Sequence, residues 1–582
     1  MKNHNIGDLL ITFNQQENRI STRSASPWEF VAQMDQAQLM VTSPDEGWHG
    51  FPLTTCTDDR WQIWALGEFY GNPHPNLSHA LETSADLNGH FIIFGYEKHK
   101  KRWHILTDRF GTVHAYLAND GKRVALGTFS PSVAESASTK QLDWAAIGGF
   151  FQFGFFLNNT TYWRDLQVFP PATHTVFNAN GQQLCQRSTW AWHHEPDPAF
   201  NPQKALVAFK DCFHTVILEH VHGKRVAVPI SGGLDSRSTL IPLTDQAACQ
   251  AENLFFFSYG YEDNSVEIAI ARQLAKTRSL NLQTWTIQPY LFDHLNRVLA
   301  ASEGFQDLTL TRQANVVDQL SDRASHVLAV HWMDVWLDDM GFLDHTAPLS
   351  NQTLATLLSQ RFTKKGAQLL MPLFKDCLPT DFEDWVTGEI VTALKKLEAI
   401  DDLDFKVKAW KTWQWSFRWT LASLRAYQLG LFTLVSVYDH RLCEFFCRFP
   451  SAPLRERAFQ IEYLKHFAPD LSHVTWQSFD ANLYQYRYYN SWLLPKRALK
   501  KLSRILKGDR LLQRNWEVQF LHPKGRKRLE NWLLSPGLKL HSFVDRQRLT
   551  AFLADFFTHP DAANGYAASM LLTLSAWLEA YG

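Results

Sequence analysis

The chain has 582 residues, with 57 Lys and Arg against 58 Asp and Glu and a formal net charge of −1. That balance excludes a globally basic nucleic-acid binder or a strongly acidic partner surface, and a content of 45% hydrophobic and 20% charged residues describes a globular protein of roughly two to four domains. Seven scattered cysteines without a Cys-x-x-Cys pair argue against a disulfide framework or a zinc site, and no uncharged apolar run is long enough to cross a membrane.

Taken in chain order, residues 1–195 read as β-rich. Short apolar runs at Leu9–Phe13, Trp61–Leu66, His90–Tyr96, Trp103–Leu106 and Thr173–Phe177 alternate with turn signals such as Asn88-Gly89. Between Glu195 and Pro202, the residues Pro196, Pro198 and Pro202 break any helix and mark a boundary. A second unit, 203–582, begins with a helix over about 203–221. The strand Val226–Ile230 follows, and the helix after it carries Pro242, which should end or kink it. Next come strand Leu254–Gly260, a helix near 264–279, and strands Leu282–Ile287 and Val327–Val330. Strands alternating with helices predict a doubly wound parallel sheet, whose ligands bind at the carboxyl ends of the strands. From about 350 onward helical periodicity dominates, giving a helical C-terminal extension.

Ile230-Ser231-Gly232-Gly233-Leu234-Asp235-Ser236 carries the most chemistry. An apolar strand runs into two glycines, an acid and flanking hydroxyls, with a helix starting at Asp235 or Ser236. Such a loop turns backbone N–H groups and a helix N-terminus toward one anion. Gly232 and Gly233 let the backbone approach phosphate oxygens, and Ser231 and Ser236 can donate to them. Asp235 would repel phosphate unless a cation lies between, so it reads as a Mg²⁺ ligand. No lysine follows the glycines, which excludes a Walker loop.

The six residues 231–236 match the Ser-Gly-Gly-Leu-Asp-Ser pyrophosphate loop (PP-loop) of the asparagine synthetase family, and the chain resembles that family over nearly its whole length. Leu87-Asn88-Gly89-His90-Phe91 and Leu106-Thr107-Asp108-Arg109-Phe110-Gly111 resemble segments of its glutaminase-type domain. The resemblance implies an Ntn-type αββα antiparallel sandwich in 1–195 and an adenine-nucleotide α-hydrolase-like synthetase domain in 203–582. It implies ATP and Mg²⁺ as ligands. Ile230 and Tyr259 fall at positions that contact adenine, and Val330 lies in the Val327–Asp334 segment beside the nucleotide. Asp334 aligns with the second Mg²⁺ ligand, paired with Asp235. His331 stands where relatives carry a glutamate or tyrosine that helps deprotonate the attacking amine. An unperturbed imidazole, with a pKa of about 6.5, suits that base role.

Departures from the family pattern set the expectations for chemistry. Lys2 replaces the glutaminase nucleophile after the initiator methionine, so the first domain is expected to be inactive as an amidohydrolase. Val474–Asp480 lacks the lysine that stabilises the leaving pyrophosphate, with Arg487, Lys496 or Arg497 as substitutes. Arg418 lies near the position of an acid at the acceptor site, and Ala329, Val330 and Trp332 replace small loop residues. The basic stretch Lys496–Arg510 reads as a solvated helix face. The expected activity is an AMP- and pyrophosphate-forming, carbon–nitrogen bond-forming ligase. It joins a small-molecule or peptide carboxylate to ammonia or a substrate amine, in the cytoplasm, with a homodimer allowed. Alternatives are a ring-closing ligase of β-lactam synthetase or lasso-peptide cyclase type, a nucleotide binder without turnover, and a glutamine-dependent enzyme whose start was misplaced.

Overall fold

Thirteen strands precede residue 189 among the described residues, and all pair antiparallel. They are β1 (His4–Ile6), β2 (Leu9–Phe13), β3 (Trp28–Met34), β4 (Ala37–Thr42), β5 (Phe51–Thr57), β6 (Trp61–Phe69), β7 (Gly89–Glu97), β8 (Arg102–Thr107), β9 (Tyr116–Asn119), β10 (Val124–Gly127), β11 (Leu166–Val168), β12 (Thr173–Asn178) and β13 (Gln183–Ser188). The computed structural model describes residues 4–13, 20–23, 25–45, 47–244, 253–263, 265–345, 347–488 and 514–582. Lys2, Cys249 and the basic stretch 496–510 lie outside them.

The strands form a seven-stranded sheet, β1-β5-β6-β7-β8-β12-β13, and a six-stranded sheet, β11-β9-β10-β2-β4-β3. β7 shows why they stack. Every residue of Gly89–Glu97 is buried, so both faces are covered. Ile92, Phe94 and Tyr96 point into the core that also takes Leu9, Leu10, Ile11 and Phe13 of the second sheet. Phe91 and Ile93 point the other way, onto Leu77, Ala80 and Leu81 of the helix Leu77–Thr83. This is the period-2 alternation of a strand serving two layers.

The remaining strands, β14 (Val226–Pro229), β15 (Leu254–Gly260), β16 (Leu282–Thr286), β17 (His326–Leu328) and β18 (Phe432–Leu434), form one parallel sheet in the order β16-β15-β14-β17-β18. The chain winds outward from β14 to β16, then returns to the other side of β14 as β17. The order therefore reverses between β14 and β17, and in such sheets the crevice at that reversal takes ligands. The helix before β14 spans Pro202–Val221, with Pro202 in its first turn where a missing N–H costs nothing. The helix after it spans Leu234–Leu243, with Pro242 inside its last turn, where the proline cannot donate back to the helix.

The two groups of strands touch directly. Glu68 at the end of β6 accepts from Lys224 Nζ at 2.6 Å and pairs with His326 Nε2 at 3.0 Å. Asn88 spans to Asp439 and to the His440 backbone, each at 3.0 Å. Beyond residue 350 the helices are shorter than continuous periodicity suggests. The helix Leu403–Lys411 passes into a π-helix over Thr412–Thr420, which carries Trp413, Trp415 and Trp419. No described helix is long and apolar enough to cross a membrane.

Candidate functional site

The 231–236 loop sits at the carboxyl end of β14, in the crevice. Ile230 N donates to Phe257 O of β15 at 2.8 Å, so the sheet holds the loop's entry. The helix opens at Leu234, one residue earlier than expected, with Gly233 at its N-cap. Glycine offers no capping side chain, so the first N–H groups keep no local side-chain acceptor. Ser231 and Ser236 hydroxyls lie 2.9 Å apart, and Ser231 N donates to Ser236 Oγ at 3.1 Å. The loop is thus pre-folded by its own hydroxyls. A Cβ on Gly232 would come within 2.5 Å of Gln477 Oε1 and 2.9 Å of its Cβ, so only glycine admits this approach. Arg237, fully buried, fixes the segment that carries Gln477 by donating to the carbonyls of Leu471, Val474 and Thr475 at 2.9–3.1 Å.

Asp235 and Asp334 converge on one cation. Arg457 places Nη1 3.6 Å from Asp235, Nη2 3.7 Å from Asp334 and Nε 3.6 Å from Asp338. These separations exceed good hydrogen bonds, so the guanidinium neutralises three acids without saturating any of them. Burial pushes the Asp235 carboxyl up to about 6; Arg457 opposes this and Asp334 adds to it, while Gln460 donates to Asp235 at 3.1 Å. Arg457 arrives there through an unusual backbone, since Glu456 and Arg457 both have positive φ, 51° and 61°. Two successive left-handed non-glycine residues are costly and persist only where the surroundings demand them. Lys411 is a second cation at the site; burial lowers its pKa, and Asp334 pushes back.

Among the described residues no three His, Cys, Asp or Glu side chains converge as a complete metal cage. Mg²⁺ does not need one, because it binds through one or two carboxylates, substrate phosphates and water. Asp235 and Asp334, oxygen donors on neighbouring strand ends and short of full pairing, fit that requirement.

The 329–334 segment leaves β17 on the other side of the crevice. Ala329 N extends the sheet by donating to Leu434 O at 2.8 Å. Val330 is buried, and Trp332 adopts φ 85°, the glycine-like conformation, pinned by its Nε1 donating to Thr412 Oγ1 at 3.0 Å. A tryptophan thus keeps a glycine's backbone because the start of the π-helix holds its ring. His331 is half-buried, and its Nδ1 is enclosed without a hydrogen-bond partner. Burial, with Arg312 nearby, lowers its pKa to about 4 against a smaller push from Asp334. The expectation of a base near 6.5 is therefore corrected: the imidazole is neutral throughout the physiological range and a weak base. Tyr259, near the end of β15, holds its ring 5.8 Å from the Arg312 guanidinium.

Other expectations also move. Arg418 is not at the crevice; it is buried and donates to Asn158 O at 2.7 Å and Thr160 O at 2.9 Å. Arg487 is exposed, its Nε 3.4 Å from the Tyr486 hydroxyl, and Lys496 and Arg497 lie outside the described residues. The cation at the carboxylates is Arg457, which the sequence reading missed. Its only forewarning is the absent lysine, which demands a positive charge from somewhere.

No known family profile matches this chain, and no curated protein matches it. Among solved structures it is similar to one described as the structure of the allosteric regulatory enzyme of purine biosynthesis. The identity is 8%, over 49% of this chain and 76% of that one, with a TM-score of 0.19. A likeness that slight bears on neither fold nor function.

Proposed function

We propose that the protein is an AMP-forming, ATP-dependent carbon–nitrogen ligase of asparagine synthetase type, with a PP-loop synthetase unit and an Ntn-like sandwich that does not hydrolyse glutamine. One observation carries the reading. The Ser231–Ser236 loop and the Asp334 loop leave adjacent strand ends at the reversal point of the parallel sheet, and Asp235 and Asp334 face the same guanidinium. In this reading a substrate carboxylate oxygen attacks the α-phosphorus of ATP, the bond to the bridging oxygen breaks, and pyrophosphate leaves. The N–H groups of 231–236 and Arg457 stabilise the charge on the departing group. When bound, Mg²⁺ held by Asp235 and Asp334 would neutralise the phosphates. An amine then attacks the acyl carbon and AMP leaves; in this reading His331, although a weak base, takes the amine's proton. The amine is ammonia or part of the substrate; the latter would make the enzyme ring-closing.

A second reading, nucleotide binding without turnover, is favoured by Gln477 against the loop in the segment where the resembled family carries lysine. Pyrophosphate release from Mg²⁺-ATP with a panel of carboxylic acids decides between them. Release dependent on one acid supports the ligase; tight ATP binding with no release under any acid supports the second reading.

A further inference from the structure

Next to Tyr259 and Arg312 lies a cavity of about 470 Å³ that none of the chemistry above uses. Its size is that of a pocket for a drug-sized ligand, far more than a free amino acid fills. Tyr261, two residues past Tyr259, lines one side; the segment Asp307–Arg312 and the Lys364–Gly366 turn line others; and Arg514, Trp516 and Tyr566 of the C-terminal helices close it. Trp419 enters from the π-helix. The cavity therefore gathers elements from at least five separate parts of the chain, including the segment that pins Trp332 beside His331.

The lining is lopsided in charge. Arg312, Lys364, Lys365 and Arg514 face a single carboxylate, Asp307. Asp307 is occupied locally, accepting from Thr309 N and Oγ1, both at 2.8 Å. Arg312 lies 5.8 Å from the Tyr259 ring centroid, and the negative charge of Glu267 acts on it as well. Lys364 rests its ammonium 4.5 Å from the Trp415 ring centroid, a cation–π contact, and Asp307 is the one lining carboxylate whose charge acts on it. Arg312 and Lys364 are half-buried and Lys365 and Arg514 stand exposed at the rim, so an anionic ligand entering the cavity meets positive charge on several sides. Four aromatic rings, from Tyr261, Trp419, Trp516 and Tyr566, supply flat apolar walls.

We propose that this cavity holds the body of the acid that the adjacent site activates, and that this acid is an aromatic compound bearing two carboxylates. The proposal rests on the ligase reading. One carboxylate reaches past Arg312 toward the nucleotide, the second pairs with Lys364 and Lys365, and the aromatic part lies between Trp419 and Trp516.

The test measures binding of three probes to the full-length protein by calorimetry: N-benzoylglutamate (ring and two carboxylates), N-benzoylglutamine (ring and one) and glutamate (two carboxylates, no ring). N-benzoylglutamate is expected to bind at least tenfold tighter than either. Lys364→Met should erase the preference for the second carboxylate while leaving Mg²⁺-ATP affinity unchanged, and Lys364→Arg should keep it, which separates charge from folding. Equal binding of the three probes, no binding of N-benzoylglutamate, or an unchanged preference in Lys364→Met overturns the proposal. The ligase reading is scored separately. Pyrophosphate release driven by glutamate and untouched by Lys364→Met leaves a ligase but refutes the cavity's role. The expected probe order with no ATP binding refutes the ligase and, with it, the assignment of this ligand as the activated acid.

Discussion

Arg457 decides how the acids of the crevice behave. Removing it leaves the mostly buried Asp235 and the half-exposed Asp334 without the guanidinium they share, with Lys411 as the remaining cation. If Arg457 also stabilises the departing pyrophosphate, Arg457→Ala should slow pyrophosphate release by about 100- to 1000-fold, the usual cost of losing one preorganised electrostatic contact. Arg457→Lys should recover part of it. Steady-state pyrophosphate release measures both, and wild-type rates in Arg457→Ala would exclude the role. His331 makes a different prediction. With a pKa near 4, it is already deprotonated at pH 6, so its contribution to aminolysis should be flat from pH 6 to 8 and fall only as pH drops toward 4. A His331-dependent limb near 6.5 in the pH–rate profile would contradict the depressed pKa. At Gly232, an added Cβ must displace Gln477. Gly232→Ala should weaken ATP binding at least tenfold by calorimetry, with little change in far-UV circular dichroism.

At the scale of elements, the sequence was legible where burial imposes a period. Leu9–Phe13 and Leu254–Gly260 coincide with observed strands, and the helix over 203–221 begins one residue earlier, at Pro202. Strands without an apolar signature were not legible. β13, Gln183–Ser188, is mostly exposed at a sheet edge, and β9 and β10 span four residues each around the Asp120-Gly121 turn. Their strand character comes from pairing partners far away in sequence, which local pattern does not contain. The same contrast holds in the crevice. The position of Asp235 beside the loop follows from its spacing to the glycines, and its pairing with Asp334 is suggested by the family resemblance alone. Arg457 was not, because two left-handed residues deliver it and neither is glycine or asparagine. The π-helix over Thr412–Thr420 was hidden for a related reason: its sequence has ordinary helical apolar spacing.

Across the whole molecule, the antiparallel sheets and the parallel sheet are tied by several ion pairs, among them a partly buried one at Glu68. Burial alone would raise the Glu68 pKa, yet the His326 hydrogen bond and the Lys224 charge outweigh it and hold the carboxyl at about 2. A depressed carboxyl stabilises the fold above its unfolded pKa of 4.5, and that contribution is lost as pH falls through the folded value near 2. A difference of roughly 2.5 units corresponds to about 3 kcal/mol at neutral pH. Glu68→Gln should therefore cost about 3 kcal/mol by denaturant unfolding at pH 7, with the gap to wild type narrowing below pH 4.5. An equal gap at pH 7 and pH 3 would mean that Glu68 acts through packing and not charge. This tie bears on function because Lys224 and His326 stand at the entrances of β14 and β17, the strands whose far ends carry Asp235 and Asp334.

The most direct measurement is pyrophosphate release from Mg²⁺-ATP across a panel of carboxylic acids, with wild type and Asp235→Asn assayed side by side. The ligase account predicts release that one class of acid switches on and that Asp235→Asn abolishes while the fold persists. Release by Asp235→Asn at the wild-type rate, or none from wild type with any acid despite bound ATP, would contradict it.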